Sequence, residues 1–200
     1  MKRSYYSTLF ITAVFVLSAC EQKTLPTSPT TADPPTPTPQ ILEKTSTPTS
    51  TNVPTVPFSS ELLWLCFSYP RGYTPLPESD TVEIVAPDLP DSDTREIFWL
   101  EISDAYDRTA EVIADQDVAL AGNVDVQRWT ITIGGEQAVV LEGMPGQDPQ
   151  RRVYVVHQQT LYVLAFMPTL SQDKAINDQL DELYTAVTTS WAWSPCAASK

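Results

Sequence analysis

The chain is short of the residues on which much small-enzyme chemistry rests. It has one histidine, three cysteines and six glycines in 200 residues, and 12 lysines and arginines against 25 aspartates and glutamates. A lone His157 with no GxSxG run leaves a Ser-His-Asp hydrolase without its elbow. Zinc sites need closely spaced cysteines and histidines, which are also missing. The only paired glycines, Gly134-Gly135, stand between two strand-like segments, so no phosphate loop or dinucleotide fingerprint is present. A net charge of -13 repels phosphate backbones and excludes nucleic-acid binding. No cofactor or metal is expected, and no residue cluster specifies a reaction.

What is there divides into three parts. Met1, Lys2 and Arg3 make a cationic start, and the apolar run 9–17 (LFITAVFVL) is about half the length of the roughly 20 residues that span a bilayer. The run ends in Leu17-Ser18-Ala19-Cys20, which resembles the bacterial lipobox, where small residues precede a cysteine that takes a diacylglyceryl thioether before the leader is cut off. The expectation is a signal peptide over 1–19 and a lipidated Cys20, on the extracytoplasmic side of a cell membrane. The alternatives are an ordinary secretory leader with a spare cysteine and an uncleaved anchor. Two acyl chains, at about 0.8 kcal/mol per buried methylene, hold a protein on a membrane where one does not.

Residues 20–59 form the second part. Its stretch 24–57 carries nine of the 18 prolines, many threonines and almost nothing to bury. Such a composition does not repay the entropy of ordering, and its prolines favour polyproline II at about 3.1 Å per residue. A disordered tether is expected, with a proline-motif ligand or an O-glycosylated stalk as alternatives.

The third part, 60–200, has the order signals and holds 22 acidic against 8 basic residues, a net of -14. Once Cys20 takes lipid, Cys66 and Cys196 remain as an even pair in an exported chain, and a disulfide is expected, two buried thiols being the alternative. It would close a loop of about 130 residues, for which chain entropy predicts about 4 to 5 kcal/mol. The run 62–69 (LLWLCFSY) predicts a buried first strand stopped by Pro70 and turned by Arg71-Gly72, and 81–86 and 97–102 predict two more. Residues 107–120 have helical spacing after an Asp able to cap the free amides. Residues 124–133, 137–141, 152–157 and 161–167 predict four strands whose short links make neighbours antiparallel. Ile176, Leu180, Leu183 and Val187 put one apolar stripe on a closing helix over 171–190.

This order predicts an α+β domain with helices on a curved antiparallel sheet. The opening strand with Phe67-Ser68-Tyr69-Pro70-Arg71-Gly72-Tyr73, the helix after the third strand, Gly134-Gly135 leading into Gln137-Ala138-Val139-Val140, the hairpin from Val153 to Phe166 and the last helix resemble the PsbP-like superfamily. The resemblance covers most of residues 61–193. It implies an extrinsic, partner-binding role with no catalytic residue to carry over.

The remaining candidates are few. His157 ends a strand beside a polar turn and reads as an edge histidine. The loop 88–93 has several carboxylates but lacks the EF-hand glycine and distal glutamate, so it reads as a solvated acidic loop. Trp64, Trp99 and Trp129 lie in strand patterns and are expected in the core. Trp191 and Trp193 flank Ala192 after the last helix. They are either an exposed binding pair or a seal on the domain end beside Cys196. The expected function is non-enzymatic binding of an envelope protein by a membrane-anchored lipoprotein. The alternatives are a small-molecule or glycan-binding lipoprotein and a carboxylate-dependent hydrolase. Cys20→Ala is expected to abolish lipid labelling and release the chain from membranes; unchanged retention with normal processing would refute the lipobox.

Overall fold

A computed structural model describes residues 53–77, 81–89, 95–122 and 124–196. Cys20, the leader and most of the Thr/Pro tract lie outside the described residues, as does most of the acidic loop 88–93. The elements, in chain order, are β1 (Thr55–Ser60), β2 (Leu65–Pro70), β3 (Thr74–Pro77), β4 (Val82–Val85), β5 (Ile97–Asp104), α1 (Ala110–Ala121), β6 (Gln127–Ile133), β7 (Glu136–Met144), β8 (Gln150–His157), β9 (Thr160–Met167) and α2 (Lys174–Ser190). None of the described helices is long and apolar enough to cross a membrane.

The last four strands form the expected antiparallel meander. Two of its links are two-residue turns with both residues in left-handed conformation, Gly134-Gly135 at φ 56° and 90° and Gln158-Gln159 at φ 48° and 69°, the geometry that matches strand twist in a tight hairpin. The sheet order is β3-β4-β5-β9-β8-β7-β6, every pair antiparallel. Its central seam is non-local, with β5 pairing β9 in unbroken register from Ile97 opposite Met167 to Asp104 opposite Thr160. A separate hairpin, β1-β2, lies on one face of this sheet.

Strand alternation sorts the apolar residues into two cores. On one face Phe98, Leu100, Val140, Val153, Val155, Leu164 and Phe166 meet Leu65 and Phe67 of β2 and Leu180, Leu183 and Val187 of α2. On the other, Val139, Leu141, Tyr154 and Leu161 meet Ala110, Ile113 and Ala114 of α1. Helix α1 sits on β7 and β8, whereas α2 packs on β2 and β9. Among the described residues the sheet is therefore covered from β4 across to β6 on one face and only over β7, β8 and β9 on the other.

Polar links hold both helices. Arg151, largely buried, pairs with Glu142 on the next strand and with Asp181 of α2 at 2.8 Å, and its guanidinium lies 4.6 Å from the Tyr184 ring centre. Burial opposes its charge, but the two carboxylates outweigh that and hold its pKa above the ordinary value. On the α1 side the Tyr154 hydroxyl donates to Asp117 at 2.7 Å.

Three local expectations are corrected. The folded domain reaches to the N-terminal side of residue 60, because Thr55–Ser60 gain a ladder by pairing with β2 and so form a strand although 55–57 belong to the Pro/Thr stretch. The first core strand starts at Leu65, since residues 61–64 turn between β1 and β2. Helix α1 is capped by Thr109, whose hydroxyl accepts from the Val112 amide, while Asp107 sits at φ 57° ahead of it. Strand β3, with prolines at 75 and 77, was not legible; proline is tolerated there because β3 is an edge.

Glu96, just before β5, is 1% exposed and neither carboxylate oxygen meets a hydrogen-bond donor. Burial pushes its pKa from 4.5 up to about 7, with the Asp173 charge adding to the rise. The folded state thus keeps a proton that the unfolded chain releases between about pH 4.5 and 7, so stability falls as pH rises through that window and the loss is complete above it. Glu96→Gln is expected to flatten that fall in thermal unfolding midpoints measured from pH 5 to 8; an unchanged slope would show that Glu96 carries no such charge penalty.

Candidate functional site

Cys66 and Cys196 are joined as a disulfide with their Cα atoms 5.2 Å apart. The link is embedded in other contacts. The Cys66 amide donates to the Ala192 carbonyl at 3.0 Å and the Ala192 amide returns to the Cys66 carbonyl at 2.8 Å, so the segment after α2 is held to β2 by a single antiparallel bridge. The Cys196 amide donates to the Ser59 hydroxyl at 2.9 Å.

Trp191 and Trp193 do not form an exposed pair. Trp191 is 5% exposed and stacks on Phe67 with ring centres 5.3 Å apart. Trp193 stacks on His157 at 4.4 Å and tilts against Tyr162 at 4.9 Å. The physical reason is the bridge at Ala192: pairing with Cys66 presses the segment onto the sheet end, where both indoles close the core. A Cβ on Gly134 would stand 2.5 Å from the Trp193 ring nitrogen, so this turn needs glycine for space as well as for its positive φ. His157, whose Nδ1 lies 2.8 Å from Glu136 Oε1, is an anchoring residue of this seal. Among the described residues no group of three or more His, Cys, Asp or Glu side chains is arranged to hold a metal ion.

The exposed aromatics lie elsewhere. Trp64, expected in the core, is 65% exposed at φ 52° in the β1-β2 turn. Trp99, also expected in the core, is 40% exposed. Phe98 and Leu100 take the covered face of β5, so Trp99 takes the other, and α1 does not reach it. Trp129 is half-buried at the margin of the main core, close to the expectation.

Among the described residues the uncovered region on β3, β4 and β5 is therefore the candidate surface. Register places Glu83 and Ala165 directly opposite Trp99 on its two neighbouring strands, with Glu101 two residues along on the same face. Small Ala165 on one side leaves the indole standing above the sheet. Leu76, opposite Glu83, carries the apolar strip to the edge, where it too is exposed. An exposed indole between two carboxylates attracts a cation through the ring quadrupole and through direct charge. Alternation in Ile97-Phe98-Trp99-Leu100-Glu101 carried this signal, since Trp99 shares its face with Glu101, but nothing local tells which face is covered.

No family model and no curated protein matches the chain. Among solved structures it is similar to the cyanobacterial PsbP protein (CyanoP) of Synechocystis sp. PCC 6803, with 14% identity, 66% of this chain and 90% of that chain covered, and a TM-score of 0.42. It is also similar to a protein of Bacteroides thetaiotaomicron, with 10% identity, 72% and 49% covered, and a TM-score of 0.42. The chain thus spans about half the length of the Bacteroides protein. The elements themselves define the class: an α+β domain whose antiparallel sheet carries a helix on each face.

The two kinds of tryptophan separate in stability. Trp191→Ala is expected to cost about 3 to 5 kcal/mol in denaturant unfolding, and Trp99→Ala no more than about 1 kcal/mol. Equal losses would place Trp99 in the core.

Proposed function

We propose that this chain is a lipid-anchored lipoprotein of the extracytoplasmic membrane face, and that its domain acts by binding an envelope protein rather than by turnover. The observation that carries this is the half-open sheet face with Trp99 between Glu83 and Glu101. The partner segment that fits it presents a lysine or arginine to the indole, with apolar atoms over Leu76. The net charge of -14 over 60–200 steers such a partner in and keeps the domain off anionic lipid. A pleated surface favours a protein over a small ligand, which is usually taken into a concave pocket. Glu83 and Glu101 flank one indole on one face rather than facing each other across a cleft, which speaks against a carboxylate pair cutting a glycosidic bond. Lipid at Cys20 and the long Pro/Thr tract would raise the effective concentration of this face near partners in the same membrane.

The test is recovery of one cross-linked partner from native membranes by the full chain and its variants. Trp99→Ala is expected to lower the yield by about tenfold or more, as loss of an aromatic anchor does. Glu83→Gln with Glu101→Gln should weaken it and blunt its salt dependence. Undiminished yield with Trp99→Ala, or turnover of a glycan by the purified chain, would overturn the proposal.

A further inference from the structure

The two edges of the main sheet are built differently. Edge strand β3 is four residues long and carries Pro75 and Pro77, which deny hydrogen-bond donors to any added strand. Edge strand β6 is seven residues long, QRWTITI, with no proline and an unbroken register to β7. Its hairpin fixes which backbone groups are free. Ile133 and Glu136 close a two-residue turn, so Ile133, Ile131, Trp129 and Gln127 exchange hydrogen bonds with β7. The amides and carbonyls of Arg128, Thr130 and Thr132 therefore point out of the sheet, and among the described residues none of them has a backbone partner.

We propose that β6 joins a second copy of this chain, antiparallel about a two-fold axis through Thr130. Full overlap of two such strands puts Thr130 opposite itself, Arg128 opposite Thr132 and Trp129 opposite Ile131. In that register the residues that meet as hydrogen-bonded pairs are the three with free outward groups. The strand midpoint thus coincides with an outward-facing residue, which makes the fullest overlap also the bondable one. The side chains agree. Thr with Thr and an aromatic with a β-branched residue are favourable cross-strand pairs. No like charges meet, because Arg128 faces Thr132 and is already paired with Asp115 of its own α1. Trp129 and Ile131 lie half-buried against the main core, so the pairing would carry that core across the axis. A foreign strand would need no such self-complementarity; a second copy does.

Opposing this are two domains of the same charge, so association should tighten as salt screens it. Sedimentation velocity of the full chain in detergent is expected to show dimers that strengthen from low to high salt. Thr130→Cys is expected to give a disulfide-linked dimer, since the facing Cα atoms of such a pair stand about 5.5 Å apart, while Thr189→Cys on exposed α2 should not. Thr130→Pro removes only an outward amide, so it should melt near the parent temperature yet bind its twin at least tenfold more weakly. Should it fail to fold, Thr130→Lys, which sets like charges opposite each other on the axis, must weaken the dimer instead. A monomer at all salt concentrations, a Thr130→Cys cross-link to another protein or to residues 1–52 of the same chain, or a folded Thr130→Pro that dimerises as the parent does would overturn the proposal.

Discussion

The pairing of β5 with β9 governs this molecule. It brings Ile97 to Met167 and Asp104 to Thr160 across a long stretch of the folded sequence, and without it there are two small sheets rather than one. A three-stranded β3-β4-β5 group or a β6–β9 meander buries little alone. Joined, they present one broad face on which α2 and the β1-β2 hairpin build the larger core. Closing so distant a contact is entropically expensive, and it is repaid by a continuous apolar stripe in which Phe98 meets Phe166 at 5.1 Å between ring centres.

The second constraint is the return of the chain end to its beginning. Cys66, Ala192 and Cys196 join β2 to the segment after α2 by two backbone hydrogen bonds and a disulfide, and Phe67 stacks on Trp191 between them. The disulfide thereby covers a junction already made by packing. It restricts the unfolded chain more than it shapes the folded one, in keeping with a long closed loop.

The same arrangement explains why the candidate surface is where it is. One layer covers the first face from β4 to β6, leaving α1 as the only described element for the second, and a helix of 12 residues does not span seven strands. The strands it leaves bare carry Trp99, Glu83 and Glu101 rather than a run of charged residues alone. An exposed indole costs solubility without helping the fold, so its placement beside carboxylates is the feature with most bearing on function.

Periodicity and turn chemistry were enough, from the sequence alone, for the α+β class, the meander β6–β9, both helices and the Cys66–Cys196 pair, because each rests on neighbours within a few residues or on simple parity. Trp191 and Trp193 could be placed at the domain end but not on a side, and Trp64 and Trp99 were expected in the core. A strand pattern tells which residues share a face; it does not tell which face another element will cover. That choice is made by contacts 56 to 70 residues apart along the chain, as between β5 and β9, and by the packing of α2 and β1-β2 on one side only. Strand β1 forms for the same reason: Thr55, Val56 and Pro57 at the end of the Pro/Thr stretch and the three residues after them gain a ladder when β2 is held against the core. Local sequence therefore determined the elements and their alternation, and tertiary structure decided which side of that alternation meets water, since burial depends on distant partners that no local pattern encodes.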